Sequence, residues 1–256
     1  SYPGWHIECS AMGQKYLGDQ FDIHTGGIDL IPTHHENEIA QSKGRCGKIP
    51  ARYWLHGEYL LINGGKMSKS LGNVYLVKDI KERGYDPIVY KLFSYSCHYR
   101  NKLNFTWEGI DAASKSLERL RNSYQINLNG TDELTAEDKE KLAQIEENFH
   151  KAINDDLNMP LAMSFVWEAA RFEKKSPEVA KLLAQFDTVL GIKIDTVNSE
   201  KEEIPQEILE LVEQRKTARE SKDWAKSDEL RDLINQKGYN VKDTKNGVEI
   251  SKRTGE

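Results

Sequence analysis

Two stretches of the chain concentrate side chains able to do chemistry. In Thr33-His34-His35-Glu36-Asn37-Glu38, Thr33 is placed to cap a helix, and the i, i+4 spacing sets His34 and Glu38 on one helical face. An imidazole and a carboxylate then converge. Cys9 lies across the His24-Thr25-Gly26-Gly27 turn, where a parallel strand pair could deliver its sulfur to the same point. Cys, His and Glu make a three-ligand set suited to zinc. The same residues also fit a capped helix with a polar first turn and an ordinary buried cysteine, and spacing leaves both readings open.

The second stretch, Gly64-Gly65-Lys66-Met67-Ser68-Lys69-Ser70-Leu71-Gly72-Asn73, combines mobile glycines, two lysines three apart and two hydroxyls. Two ammonium groups on a flexible loop can close over a triphosphate and compensate charge building on departing pyrophosphate. The glycine spacing excludes the GxxxxGK[ST] phosphate loop. A solvated basic loop is the plain alternative.

Elements must hold these groups in place. Residues 20–24 (QFDIH) and 59–62 predict short strands ended by Thr25-Gly26-Gly27 and Asn63-Gly64-Gly65, the glycine punctuation of an α/β fold. From Pro87 the apolar period becomes helical: Ile88, Leu92 and Tyr95; then Ile110, Leu117, Leu120 and Tyr124; then Leu142, Ile145, Phe149 and Ile153. Asn154-Asp155-Asp156-Leu157-Asn158 breaks the pattern before a helix from Met159-Pro160 through Phe165, Ala169 and Phe172, and another runs from Ser176-Pro177 to Gly191. Residues 192–204 read as a polar linker. Beyond them lie a helix from Pro205 with Ile208, Leu211, Val212 and Arg215 on one side, a helix over 223–237 stopped by Gly238, and a hairpin turning at Thr244-Lys245-Asn246-Gly247.

The chain has 256 residues and 29.3 kDa, with 36 Lys and Arg against 41 Asp and Glu. At roughly 150 residues per domain, this length predicts two domains. Collagen, disordered and disulfide-framework classes are excluded, as is a membrane span, because the apolar runs fall far short of the ~20 residues needed. Three cysteines and no charged-then-apolar leader place the expected compartment in the cytoplasm. Residues 1–110 hold six of the seven His and thirteen of the eighteen Gly, with 13 basic and 11 acidic side chains, so the remainder carries a balance of −7. A nucleic acid would have to be met by local basic patches such as Arg215-Lys216, Arg219, Lys222 and Lys226. The opening Ser1-Tyr2-Pro3-Gly4-Trp5-His6 reads as the interior of a domain, and a piece of a longer protein is expected.

Lys66-Met67-Ser68-Lys69-Ser70 is similar to the KMSKS motif of class I aminoacyl-tRNA synthetases. Residues 3–12 (PGWHIECSAM) and 34–42 (HHENEIAQS) resemble the cysteinyl-tRNA synthetase family. His98-Tyr99-Arg100, Asp155-Asp156-Leu157-Asn158 and residues 222–228 (KDWAKSD) agree with its later landmarks in order. The resemblance implies activation of L-cysteine by ATP, with Mg2+, to cysteinyl-adenylate and transfer to tRNA-Cys by a monomer. It implies Lys66 and Lys69 as catalytic residues; Lys66, Met67, Ser68, Lys69 and Ser70 on ATP; and Trp5 and His24 around the cysteine. One Zn2+ on Cys9, His34 and Glu38 would take the substrate thiolate, which serine cannot imitate. Arg219, Trp224 and Asp228 would read anticodon bases. The implied architecture is α/β plus all-α: a partial Rossmann-type catalytic domain with the zinc site (1–60), the KMSKS loop with a stem-contact fold (61–106), a helical bundle (107–191), the linker (192–204) and a small α+β anticodon-binding module (205–256). The HIGH motif and an early cysteine of the family have no counterpart, so these residues alone are expected to form no adenylate. His24-Thr25 and Pro32-Thr33 depart from the commoner family form. A cysteine:aminosugar ligase and a non-catalytic tRNA-binding paralogue are the alternatives.

Overall fold

A computed structural model describes residues 4–196, 205–221, 223–244 and 247–252. The chain divides into two units, residues 1–74 with 88–194 and residues 75–87 with 195–256. The architecture is α/β followed by all-α, as the sequence predicts, with a small α+β unit.

The first unit opens with α1 (His6–Leu17), β1 (Phe21–Gly27), a 3-10 turn (Ile28–Leu30), a π turn (Ile31–His35), α2 (Glu36–Cys46) and β2 (Ala51–Gly57). The two strands pair in parallel, Phe21 opposite Ala51 and Gly27 opposite Gly57, which makes a βαβ unit with α2 as the crossover. Helices α1 and α2 are joined by a Ser10 to Gln41 hydrogen bond of 2.6 Å, and an Arg45–Asp19 ion pair ties α2 to the loop that follows α1. β3 (Leu60–Ile62) then pairs antiparallel with β4 (Gly65–Lys66) and parallel with β5 (Leu103–Phe105). Asn63 and Gly64 both take positive φ, 48° and 77°, the two left-handed residues that a tight hairpin of matching twist requires.

The sequence reading needs three corrections here. The strand predicted over 20–24 runs on to Gly27, so Thr25-Gly26-Gly27 is not a turn. The glycine at 26 serves packing: a Cβ there would come 2.7 Å from Cε1 of His35. Thr33 caps no helix, because it lies inside the π turn and His35 precedes α2 without a side-chain cap. Cys9 rides on α1 and not on a strand.

After α4 (Ile88–Ser94), four helices form the bundle: α5 (Trp107–Leu128), α6 (Ala136–Asn154), α7 (Met159–Ala170) and α8 (Pro177–Leu190). Their starts follow from side chains that accept the first free N–H groups: Thr106 from Gly109, Thr135 from Asp138, Asn158 from Leu161 and Ser176 from Glu178. Of the predicted apolar faces, Ile110, Leu117, Leu120, Ile145 and Phe149 are buried, and so are Leu183 and Phe186 of α8, with the Phe149 and Phe186 rings stacked at 4.1 Å. Phe172 lies beyond the end of α7. Ile192 and Ile194, at the head of the stretch read as a linker, are buried, and Asp187 accepts both of their N–H groups. Residues 197–204 lie outside the described residues.

In the second unit, α3 (Val77–Glu82), α9 (Gln206–Glu220) and α10 (Trp224–Gln236) are joined by a hairpin of β6 (Tyr239–Thr244) and β7 (Gly247–Lys252). Ile208, Val212 and Ile234 form its core, flanked by Leu211, Tyr239, Val241 and Val248.

Candidate functional site

One sequence segment delivers an imidazole and a carboxylate to a common point. The π turn over Ile31–His35, with Pro32 in its first turn, buries His34 and His35 together, an expansion of the kind that recurs at functional sites. One turn further, Glu38 on α2 is 3 % exposed, and its Oε1 lies 2.7 Å from His34 Nε2. From α1, Cys9 brings its sulfur to the same place: the ligand atoms of Cys9, His34 and Glu38 all lie within 4.8 Å of one another.

These residues fit a divalent metal on three observations. Glu38 Oε1 is buried with no hydrogen bond despite its closeness to His34, so carboxylate and imidazole face a shared space and not each other. The Cys9 thiol is held above its ordinary pKa by burial, then by the negative charges of Glu38 and Glu8; a thiolate there calls for a cation. Sulfur, imidazole nitrogen and one carboxylate oxygen suit zinc, and three protein ligands leave a position for a further donor.

The surroundings are aromatic and rich in histidine. Trp5 stacks on the His34 ring at 3.7 Å and 26°, and His6 Nδ1 lies 2.5 Å from His34 Nδ1. His24, on β1, meets Glu38 Oε2 through Nε2 at 2.9 Å, and His35 Nδ1 lies 2.7 Å from His56 Nε2. Burial, then the neighbouring histidines 24, 56 and 34, pulls His35 down from 6.5 to about 4, so it is neutral at pH 7. His24, His35 and Glu38 form a second group with ligand atoms within 4.8 Å. A cavity of about 490 Å3 between α1, β1 and α2 is bordered by Cys9, His24 and Glu38 with Ile7, Phe21 and Ile23.

The structure thus brings Cys9, His34 and Glu38 together with Trp5 and His24. Sequence reasoning missed His6, His35 and His56, which are scattered along the chain and acquire meaning only once β1, β2 and the π turn are side by side. The clustering of six histidines in the first 110 residues was the one available signal.

The lysine loop follows β4, with Lys66 exposed on that strand. Asn73 organises it: its carbonyl accepts from Ser68 N–H at 2.8 Å and its amide donates to Lys66 O at 3.0 Å. Ser68 and Ser70 hydroxyls lie 2.7 Å apart, and Met67 is partly buried. Lys69 begins a 3-10 turn, and its side chain lies outside the described residues.

In the second unit, the Arg219 guanidinium stands 5.7 Å from the centre of the Trp224 ring, which is 55 % exposed. Asp228, one turn beyond Trp224, is exposed and pairs with Arg231 at 3.3 Å. Of the basic groups named for a nucleic-acid patch, Arg215 is 3 % exposed and is removed from that surface, because its side of α9 faces inward. Lys216, Arg219 and Lys226 are exposed, and Lys222 lies outside the described residues.

Residues 1–115 match the family of tRNA synthetases class I (C) catalytic domains, and residues 201–250 match the cysteinyl-tRNA ligase anticodon binding domain. A cysteine–tRNA ligase of Caldicellulosiruptor saccharolyticus is 42% identical over 265 residues, which cover 98% of this chain and 57% of the relative. For cysteine–tRNA ligase 1 of Burkholderia lata the identity is 39% over 250 residues, covering 97% and 52%. The chain spans about half the length of the curated relatives it matches. A solved LeuRS of Agrobacterium radiobacter K84, in a ternary complex with tRNA and LeuAMS, shares the fold: TM-score 0.54 and 17% identity over 67% of this chain and 26% of that one. With two family regions in order and relatives aligned along nearly the whole chain, it belongs to the cysteinyl-tRNA synthetase family.

Proposed function

We propose that the protein containing this chain activates cysteine with ATP to cysteinyl-adenylate and transfers the cysteinyl group to tRNA-Cys. The observation that carries the reading is the convergence of Cys9, His34 and Glu38 on a buried point. These three residues would hold zinc, which when bound accepts the substrate thiolate as a ligand. Trp5 and His24 would flank the substrate. His24 also fixes the Glu38 carboxylate through Oε2, which leaves Oε1 for the metal.

Lys66 and Lys69 would neutralise charge on the ATP phosphates, accompanied by Mg2+, with Met67, Ser68 and Ser70 shaping the loop. The Asn73 bonds to Ser68 and Lys66 support a loop held ready to close. Arg219, Trp224 and Asp228 would meet anticodon bases, and the exposed Trp224 ring offers a stacking surface. Residues 1–60 would form part of the catalytic domain, 61–106 the stem-contact region, 107–191 a spacer and 205–256 the anticodon module of a cytoplasmic monomer. The cysteine:aminosugar ligase reading is weaker, because residues 201–250 match an anticodon-binding family.

The test joins this chain to the amino-terminal portion carried by its relatives and measures cysteine-dependent pyrophosphate exchange. Exchange is expected to disappear on zinc chelation, in Cys9→Ala and in Lys69→Ala. Exchange that survives chelation and Cys9→Ala contradicts the reading.

A further inference from the structure

We propose that His6 is a positioning residue for the metal ligand His34, accepting the Nδ1 proton of His34 so that Nε2 presents its lone pair to the metal. The inference rests on the metal reading above and deepens it. A neutral imidazole carries one proton, and only its unprotonated nitrogen can ligate. His34 Nε2 is the nitrogen beside Glu38 Oε1, at 2.7 Å, and Nδ1 is the one 2.5 Å from His6 Nδ1. With the His34 proton on Nδ1, it donates to His6, whose own proton sits on Nε2. In the reverse tautomer His6 would donate through Nδ1 and the His34 proton would occupy the ligand site, so only the arrangement with His6 as acceptor leaves Nε2 open to a metal.

The segment before α1 is shaped for this contact. Gly4 has φ +64°, and a Cβ there would come 2.7 Å from Cδ2 of His6, so any larger residue would push the ring away. Trp5 covers one face of His34 at 3.7 Å, and the His6 ring stands edge-on to it at 4.7 Å and 61°. Glu8 N–H donates to Trp5 O at 3.1 Å to start the helix, and Cys9 follows one residue later. One helix start therefore supplies a metal ligand and the partner that orients another. Outer-shell partners of this kind change metal affinity by about 10–100-fold when removed.

The test loads the 256-residue chain with Co2+, with Zn2+ competition for affinity, and reads the tautomer of His34 from imidazole 15N spectra. His6→Ala is expected to weaken Co2+ binding by roughly 10–100-fold and to alter the visible cobalt bands, while thermal unfolding of the metal-free chain stays unchanged. His6→Asn, whose side-chain carbonyl can accept the same proton, is expected to restore much of the affinity. In the Zn2+-loaded wild-type chain His34 is expected to carry its proton on Nδ1. Tight Co2+ binding by wild type with equal binding by His6→Ala, or a His34 proton on Nε2 in the Zn2+-loaded chain, overturns the role of His6 and leaves the metal site standing. Failure of the wild-type chain to bind Co2+ at all, with His34→Ala indistinguishable from it, overturns the metal reading itself.

Discussion

A methyl group at position 26 would lie 2.7 Å from His35 Cε1 and 2.8 Å from Leu30 Cδ1. Gly26→Ala should therefore displace the His35 ring and the π turn that carries His34, lowering metal affinity more than it lowers the unfolding midpoint; calorimetric metal titration beside a thermal melt checks this. In the bundle, Phe149 is fully buried and stacked on Phe186. Phe149→Ala should cost about 3–5 kcal/mol by lost transfer energy and an unfilled cavity, measured by urea unfolding. These two residues differ in legibility. Phe149 was visible as core because it recurs at helical spacing with Leu142 and Ile145, whereas Gly26 looked like a strand-ending turn. Periodicity reports burial, but a close approach between distant backbone and ring leaves no local pattern. His6 and His56 escaped for the same reason, while His34 and Glu38 were readable because one helical turn joins them.

Among the elements, the turn between α6 and α7 is held from several sides. Asp156 and Leu157 both hold positive φ, 52° and 55°, costly for residues with a Cβ and sustained only by surrounding bonds. Arg100 supplies two of these bonds, Nε to Oδ2 at 2.5 Å and Nη2 to Oδ1 at 3.1 Å. The Tyr99 hydroxyl donates to Oδ1 at 2.6 Å, and His98 Nε2 reaches Asp156 O at 2.9 Å. Arg100, then Tyr99, draws the Asp156 carboxyl down to about 2. Because the folded value is the lower one, the stabilisation is complete above the ordinary carboxylate range near pH 4 and is lost as pH falls through about 2. Arg100→Ala should return the Asp156 titration toward 3.8, read by carboxyl 13C shifts. The sequence marked residues 154–158 as a break in helical period, and it marked the helix starts at Met159-Pro160 and Ser176-Pro177. It could not show that His98, Tyr99 and Arg100 close on that break from 58, 57 and 56 residues away. β2 and β5 were also unread, since their pairing partners, and not their own alternation, make them strands.

For the whole molecule, the balance of −7 behind residue 110 restricts any contact with tRNA to local groups. Arg219→Ala should weaken tRNA-Cys binding and shallow its salt dependence by about one unit of slope, measured by fluorescence anisotropy across salt. Metal content should be unaffected, because the metal donors lie in the other unit. The central claim is that Cys9, His34 and Glu38 hold a metal that distinguishes a thiol from a hydroxyl. The most direct measurement is the sulfur-to-metal charge-transfer absorption of the Co2+-loaded chain, titrated with cysteine and with serine. A band from Cys9 before addition, a further rise with cysteine and no change with serine is the predicted result. Identical spectra with both amino acids, or a band that persists in Cys9→Ala before any addition, would contradict it.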